Sequence, residues 1–443
     1  MDIASPVCRI LDVITQAGQE AYVVGGCVRD SLRGVRPHDW DVTTSALPEK
    51  LQELFRGWTL VPTGLQHGTV TILSDGLPVE VTTYRTEMDY SDHRHPDNVQ
   101  FTRSLREDLA RRDFTINAMA YHPAKGIVDP FGGQKDLAAH CIRCVGDPQK
   151  RFEEDALRIM RALRFSSVLS FALSPDTAAA VHRQAGLLEW VSRERIYREL
   201  LLLLGGNPEQ VLLTYPDVLA VIMPEIADMK ACPQRHPCHI YDVYTHTVKS
   251  LAAAPAFDPI LRLTVLMHDM GKPYCRTRDE TGCDHFYGHA KKSAELARSR
   301  LQEWRADRYT VETVTRLVSL HDAVLPPTQT VVRRWLGRLG EEDFSRLIAV
   351  KRADTAGLSP HVQEEKGQAL DELSRMMKFV VAQQLCFSRR QLAVNGHDLE
   401  QAGIPPGREM GTLLQALLEE VIAQRLPNEK EPLLAWALSH AHF

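Results

Sequence analysis

Asp39 and Asp41 bracket Trp40 at the start of the segment DWDVTT. Read as a strand, this segment puts both carboxylates on one face, about 6–7 Å apart along the chain. Such a pair suits joint binding of divalent cations. Two cations about 3.5–4 Å apart can activate an attacking hydroxyl and stabilise a departing pyrophosphate. Glu80, in the alternating run PVEVTTY, offers a third carboxylate from another strand. Oxygen-only ligation favours magnesium. An Asp-x-Asp by itself is more often a surface turn. Here it follows a Gly25-Gly26 turn between a strand and a helix, with Arg29 just beyond. Two glycines let the backbone approach a phosphate and turn its N–H groups toward the anion. That combination is much rarer than any of its parts.

Two further groups carry chemistry. Glu154, Asp155 and Arg158 stand at i, i+1 and i+4 of a predicted helix. The bland reading is a helical salt bridge. The functional reading is that an accepting acid beside a donating arginine fits the Watson–Crick edges of both cytosine and adenine. Uracil and guanine would leave the same groups unpaired, and sites of that kind reject a wrong partner by roughly 10⁴–10⁵. Downstream, His246, His268-Asp269, His289, His321 and Asp354 follow one another in a helical context. A lone buried histidine is usually a core residue, but six such groups in sequence form a mixed donor set. Manganese, iron, nickel or zinc would suit it. Cys232, His236, Cys238 and His239 read as a loop leading into this region rather than as a zinc site.

The elements that must position these groups change character along the chain. AYVVGG reads as a strand entering a turn, and CVRDSLRG as a short helix closed by Gly34. DWDVTT, GTVTIL and PVEVTTYR alternate with period two. From Phe152 onward the periodicity is helical, as in ALRIMRALRFSSVL. The expected fold class is α+β: a small head with a mixed sheet plus helices, followed by an all-α remainder. At 443 residues the chain is long enough for two to four domains. The net charge of −5 counts mildly against wholesale nucleic-acid binding, yet Arg103, Arg106, Arg111, Arg112, Arg143, Lys150, Arg151, Arg158, Arg161 and Arg164 crowd one third of the chain. Nine scattered cysteines point to reduced thiols, and MDIASPVCRILDVITQ carries no secretion-signal pattern, so a cytoplasmic location is expected. No apolar run approaches the ~18 residues of a membrane span.

GGCVRD, HDWDVTT and EVTTYR together resemble the polymerase-β-like nucleotidyltransferase superfamily, specifically the CCA-adding enzymes and their poly(A) polymerase relatives. DLARRDFTINAMAY and RFEEDALRIMRALRF are similar to that family's ribose- and base-recognition motifs, and all five stand in order between about residues 21 and 165. The resemblance implies that Asp39, Asp41 and Glu80 are catalytic, with Asp39 and Asp41 holding magnesium. Gly25, Gly26 and Arg29 would contact the nucleotide. Arg112, Asp113 and Asn117 would hold its sugar and phosphates, and Glu154, Asp155, Arg158 and Arg161 its base. The implied reaction is attack of a tRNA 3′-hydroxyl on the α-phosphate of CTP or ATP. The polar segment YRTEMDYSDHRHPDNVQFTRSLREDL resembles the loop such enzymes use when switching from cytidine to adenosine.

The order H…HD…H…H…D resembles the HD phosphohydrolase superfamily, and implies that His246, His268, Asp269, His289, His321 and Asp354 bind a transition metal or magnesium. The implied organisation is a catalytic head over residues 1–145, a helical neck over 146–230 with the base-recognition helix, an HD domain over 231–362, and a tRNA-binding helical tail over 363–443. Three alternatives share parts of these motifs: an A-adding-only tRNA nucleotidyltransferase, a poly(A) polymerase, and an HD phosphohydrolase with an RNA-binding head. The ending EKEPLLAWALSHAHF, without a basic extension, weighs against the second. The intact Asp39/Asp41 pair weighs against the third.

Overall fold

The computed structural model describes residues 1–64, 68–88 and 98–441. Residues 89–97, the middle of the segment likened above to a base-switching loop, therefore lie outside the described residues. The chain divides into two compact units, Met1–Pro224 and Glu225–Phe443.

In the first unit, β1 (Ala21–Val24) lies inside a seven-stranded sheet and is buried at all four positions, which explains its unbroken apolar run. On one side it pairs antiparallel with β2 (Trp40–Thr44). Beyond β2 come β5 (Leu77–Thr83), β4 (Thr69–Ser74) and β3 (Thr59–Gly64). The short β6 (Arg85–Met88) and β7 (Asn98–Phe101) form a separate ribbon, and β8 (Ala120–His122) and β9 (Gly126–Val128) complete the sheet beside β1. The β2–β5 pairing is parallel, whereas β4 and β5 form a hairpin with Ser74 opposite Leu77. Asp75 (φ 49°) and Gly76 (φ 78°) make its two-residue turn, the Asp-Gly pair favoured where both positions need positive φ. Helix Ser5–Gln16 turns Val7, Ile10, Leu11 and Ile14 inward, the 3-1-3 spacing of an amphipathic helix. A second apolar cluster joins Tyr22, Val24, Tyr84, Leu109, Ala118, Ala120 and Val145.

The rest of this unit is helical. Helices Pro148–Glu154 and Leu157–Leu169 are separate, where the periodicity suggests one continuous helix. Asp155 is the break: its backbone is extended (φ −137°, ψ 102°), and its Oδ1 accepts from the Leu157 N–H at 3.1 Å. A short acidic side chain that bonds the backbone two residues on competes with the helix and starts a new one. Helix Leu157–Leu169 packs along helix Arg193–Leu204.

The second unit is helical apart from a hairpin at Thr277–Arg278 and Asp284–His285. Helices Val243–Ala253, Pro259–Met267 and Arg308–Leu320 open on Asp242, Asp258 and Asp307, each accepting a hydrogen bond from the N–H three residues on. The segment Gln329–Ala356 bends at Gly340, whose φ of 77° a helix cannot hold. Helices Gly396–Gln401, Arg408–Ile422 and Lys430–His440 close a core of their own around Val394, Leu399, Leu417 and Leu433.

Candidate functional site

The parallel register of β2 and β5 sets Asp41 directly beside Glu80, so both side chains leave the same face of the sheet. Asp39 lies just outside β2 and is exposed, as is Glu80. Burial pushes the Asp41 carboxyl above its usual range; Glu80 and Asp39 add to the shift, while Arg112 opposes it. Three converging carboxylates, one held partly out of water, form an oxygen-only donor set that matches a hard divalent cation.

Gly25 and Gly26 face this set from the end of β1. Gly25 holds φ 81° and ψ −132°, a region open essentially to glycine alone. A Cβ there would lie 3.1 Å from Arg112 Nη1 and 3.9 Å from both Asp41 Oδ2 and the Asn117 carbonyl oxygen. Backbone, cation and carboxylate thus meet at one point. Arg112 is anchored from beneath by Asp108, a fully buried acid 3.5 Å from its Nη2. Asp108 also accepts from Thr43 Oγ1 at 2.9 Å and from Arg111 Nε at 3.0 Å.

A second chain of polar groups runs from the short helix at Gly26–Leu32 to helix Leu157–Leu169. Arg29 Nη1 donates to Asn117 Oδ1 at 2.8 Å, and Asn117 Nδ2 donates to Asp113 Oδ1 at 3.1 Å. Asp113 Oδ2 accepts from Arg161 Nε at 2.8 Å and Nη2 at 2.6 Å. Burial alone would raise the Asp113 pKa, but the Arg161 guanidinium and the Asn117 amide carry it down to about 2. Arg161 also lies 3.8 Å from Glu199, which pairs with Arg164 Nε at 2.9 Å. Arg29, Arg161 and Arg164 surround the Phe165 ring at 5.2, 5.5 and 4.1 Å from its centroid.

Glu154 ends one helix, Asp155 is the break and Arg158 lies in the next helix, and only Glu154 and Arg158 bond each other. Arg158 Nη1 donates to Glu154 Oε2 at 2.7 Å and its Nη2 to the Arg111 carbonyl at 2.9 Å. Asp155 pairs with Arg195 instead. Arg195, Glu199 and Asp108 are site residues that sequence reasoning missed. The run RERIYREL, with charges recurring at helical spacing beside the arginine-rich segment, is the signal that could have found the first two.

In the second unit, the six predicted donors meet in a buried cluster. Asp269 lies between two histidine pairs, its Oδ2 at 3.2 Å from His268 Nε2 and 3.5 Å from His246 Nε2. Its Oδ1 is 3.5 Å from His289 Nε2 and 3.7 Å from His321 Nε2. Asp354 Oδ1 is 2.9 Å from His246 Nε2 and 3.6 Å from His268 Nε2. The outer nitrogen of each ring faces a carbonyl: Gly357 for His246, Val265 for His268, Phe286 for His289 and Val318 for His321. An Nδ1–H given to a carbonyl leaves Nε2 as the inward lone pair, as in histidines that hold metals. His289 Nε2 and His321 Nε2 approach to 3.2 Å, so either one ring donates to the other or both turn their lone pairs to a shared cation. Burial alone would depress His268, but Asp269 and Asp354 overcome it and push the ring up to about 10, so a cation taking the Nε2 lone pair would displace a proton held there by the two acids. Two overlapping sets, His246/His268/Asp269 and Asp269/His289/His321, bring their ligand atoms within 4.8 Å of one another, close enough to share a cation. A cavity of about 350 Å³ opens onto them, lined in part by His239, Lys272 and Lys366.

Known proteins match this arrangement along the whole chain. The Poly A polymerase head domain model matches residues 21–143, and the model for tRNA nucleotidyltransferase domain 2 matches residues 285–437. The CCA-adding enzyme of Levilactobacillus brevis is 37% identical over 435 residues, covering 98% of this chain and 96% of that protein. The CCA-adding enzyme of Enterococcus faecalis is 35% identical over 441 residues, covering 98% and 95%. Among solved structures, the Bacillus stearothermophilus CCA-adding enzyme in complex with CTP aligns with a TM-score of 0.75 at 32% identity, covering 99% of this chain and 98% of that one. The Thermotoga maritima CCA-adding enzyme complexed with tRNA shares the fold, with a TM-score of 0.63 at 20% identity over 98% and 94% of the two chains. By this likeness over nearly its full length, the chain belongs to the CCA-adding enzyme family of tRNA nucleotidyltransferases.

Proposed function

We propose that this enzyme adds C, C and A to the 3′ end of tRNA from CTP and ATP without a nucleic-acid template, releasing pyrophosphate. The observation that carries the reading is the in-register Asp41–Glu80 pair facing the Gly25 backbone and Arg112, in a chain collinear with CCA-adding enzymes. Asp39 and Asp41 would hold magnesium, with Glu80 beside them. When bound, the metal supplies charge neutralisation at the reacting phosphate and lowers the pKa of the attacking hydroxyl. The Gly25-Gly26 backbone and Arg112 receive the phosphates. Asp113 and Asn117, fixed by Arg161 and Arg29, face the sugar. Asp155 accepts the exocyclic amino group that cytosine and adenine share, and Arg158 would have to turn from its bonds to Glu154 and the Arg111 and Arg151 carbonyls to donate to the base beside it.

The test uses tRNA transcripts ending at the discriminator base, at C and at CC, incubated with magnesium and CTP, ATP or both. Growth of the bare transcript by three residues and then a stop is the expected result. Extension of the CC-ended transcript alone would make this an A-adding specialist, and long A tails a poly(A) polymerase.

A second reading concerns residues 231–362. The inward Nε2 atoms and the bridging Asp269 favour an HD-type centre that holds one or two cations and hydrolyses a phosphoester. Residues 363–443 would then form the tail that receives the tRNA stem by shape and phosphate contacts. Metal-dependent phosphatase activity that His268→Ala removes, with nucleotide addition intact, would support this reading; its absence with every divalent cation tried would refute it.

A further inference from the structure

We propose that Arg195 is a positioning residue for base choice: it holds the Asp155 carboxylate in the orientation that accepts an amino group. The inference rests on the base-reading role proposed for Asp155.

Three observations carry it. First, Arg195 Nη2 straddles the acid, at 3.4 Å from Oδ1 and 3.3 Å from Oδ2. The pair spans two elements, because Asp155 stands in the break between two helices while Arg195 opens helix Arg193–Leu204. A residue in extended backbone between helices has no helical turn to fix its side chain, so its orientation must come from a partner. Second, the two carboxylate oxygens are not equivalent. Oδ1 already accepts the Leu157 N–H, which among the described residues leaves Oδ2 with only the long contact to Arg195. Oδ2 is therefore the atom free to take a donor from the base. Third, Arg158 is already committed elsewhere: it bonds Glu154 and the carbonyls of Arg111 and Arg151, and only 8% of it is exposed. The cation that touches Asp155 is Arg195, and its Nη1 is buried without a hydrogen-bond partner among the described residues.

The surrounding packing fits a fixed support. Glu199, one turn beyond Arg195 on the same helix, pairs with Arg164 and reaches Arg161, which holds Asp113. One helix thus supports the acid that faces the base and, through Arg161, the acid that faces the sugar. Without Arg195 the carboxylate keeps the Leu157 N–H on Oδ1 but can turn about that bond, so Oδ2 accepts a hydrogen bond from more than one direction. Sites that discriminate through buried polar groups lose selectivity when those groups become mobile.

The test compares single-turnover incorporation of CTP, UTP, ATP and GTP by the full-length enzyme, Arg195→Met, Arg195→Lys and Asp155→Asn, with a thermal melt of each. The expected result for Arg195→Met is a loss of at least tenfold in CTP-over-UTP and ATP-over-GTP preference. KM for the correct nucleotides should rise more than kcat falls, and the melting temperature should stay near that of the parent. Arg195→Lys, which keeps the charge but not the straddling contact, should restore part of the selectivity; it carries the comparison if the Met variant melts early. Parental selectivity in both Arg195 variants, with selectivity lost in Asp155→Asn, overturns the inference alone. Parental selectivity in all three overturns it together with the base-reading role of Asp155.

Discussion

Replacing Gly25 by alanine tests the nucleotide cradle most directly, because a single methyl group perturbs three of its parts. The backbone at φ 81° and ψ −132° lies where a Cβ is strained in any surroundings, at about 1–3 kcal/mol. For a unit the size of Met1–Pro224, each kcal/mol lowers the melting temperature by about 2–4 °C, so a fall of about 2–12 °C is expected. The methyl would also sit 3.1 Å from Arg112 Nη1, and the guanidinium must yield by a few tenths of an ångström. That displacement moves the cation relative to Asp41 and to the phosphates. A loss of 10–100-fold in kcat/KM for CTP and ATP, about 1.4–2.8 kcal/mol, is expected beyond the stability change. Gly34→Ala is the control. Gly34 is also left-handed, at φ 74°, but no described atom stands within 4 Å of its would-be Cβ, so it should cost about 1–2 kcal/mol of stability and nothing in kcat/KM. The assays are differential scanning calorimetry and steady-state extension of a C-ended transcript with CTP and of a CC-ended transcript with ATP. Equal kinetics in the two variants would refute the claim that the Gly25 backbone faces the nucleotide.

The other expectations are briefer. Asp41→Asn should reduce transfer on the order of 10³-fold or more while tRNA binding by gel shift persists; residual incorporation near the parental rate would remove Asp41 from the mechanism. Because burial holds the Asp41 pKa up, activity should fall with decreasing pH already above the ordinary carboxylate range. Added magnesium should move that limb to lower pH, and a limb insensitive to magnesium would contradict the assignment. Asp113, held at about 2, contributes stability that is complete above the unfolded carboxylate pKa of about 3.9 and is lost as pH falls toward 2. Arg161→Met should remove about 2 kcal/mol in urea melts at neutral pH and flatten the pH dependence in that window; unchanged melts would show that the pair stabilises nothing. His321→Ala should lower the bound transition metal measured by mass spectrometry without altering CTP incorporation, and undiminished metal would exclude His321 as a ligand.

Much of the site was legible because strand parity and helix spacing are short-range rules. The Asp39/Asp41 pair, the Gly25-Gly26 turn and the alternating strand around Glu80 each follow from neighbours within a few residues. The six-donor order likewise pointed to residues that converge, although nothing in their spacing tells which carboxylate bridges. The helix break at Asp155 was hidden because Phe152, Ala156, Ile159 and Leu163 keep a helical apolar spacing straight through it, and one capping hydrogen bond outweighs that pattern. Arg195, Glu199 and Asp108 were hidden for a different reason. Their partners lie 40, 38 and 65 positions away, at Asp155, Arg161 and Thr43, and only the folded packing of helices and strands brings them together. Arg195 was also masked by Arg158, which stands closer to Asp155 in sequence yet bonds other groups.

The parallel pairing of Asp41 with Glu80 has a consequence for how this head can change over evolution or by engineering. The two acids are joined through a helix, two strands and the tight Asp75-Gly76 turn, yet their meeting depends on none of those lengths. It depends on each occupying the right phase of its own strand. An insertion or deletion in the connection before β4 leaves the pair intact, however large, provided the strands still pair as they do now. A single residue added within β5 between the turn and Glu80 rotates that acid to the opposite face of the sheet. Length variation in this head should therefore collect at its connections, and the interiors of β2 and β5 should tolerate changes of side chain far better than changes of count.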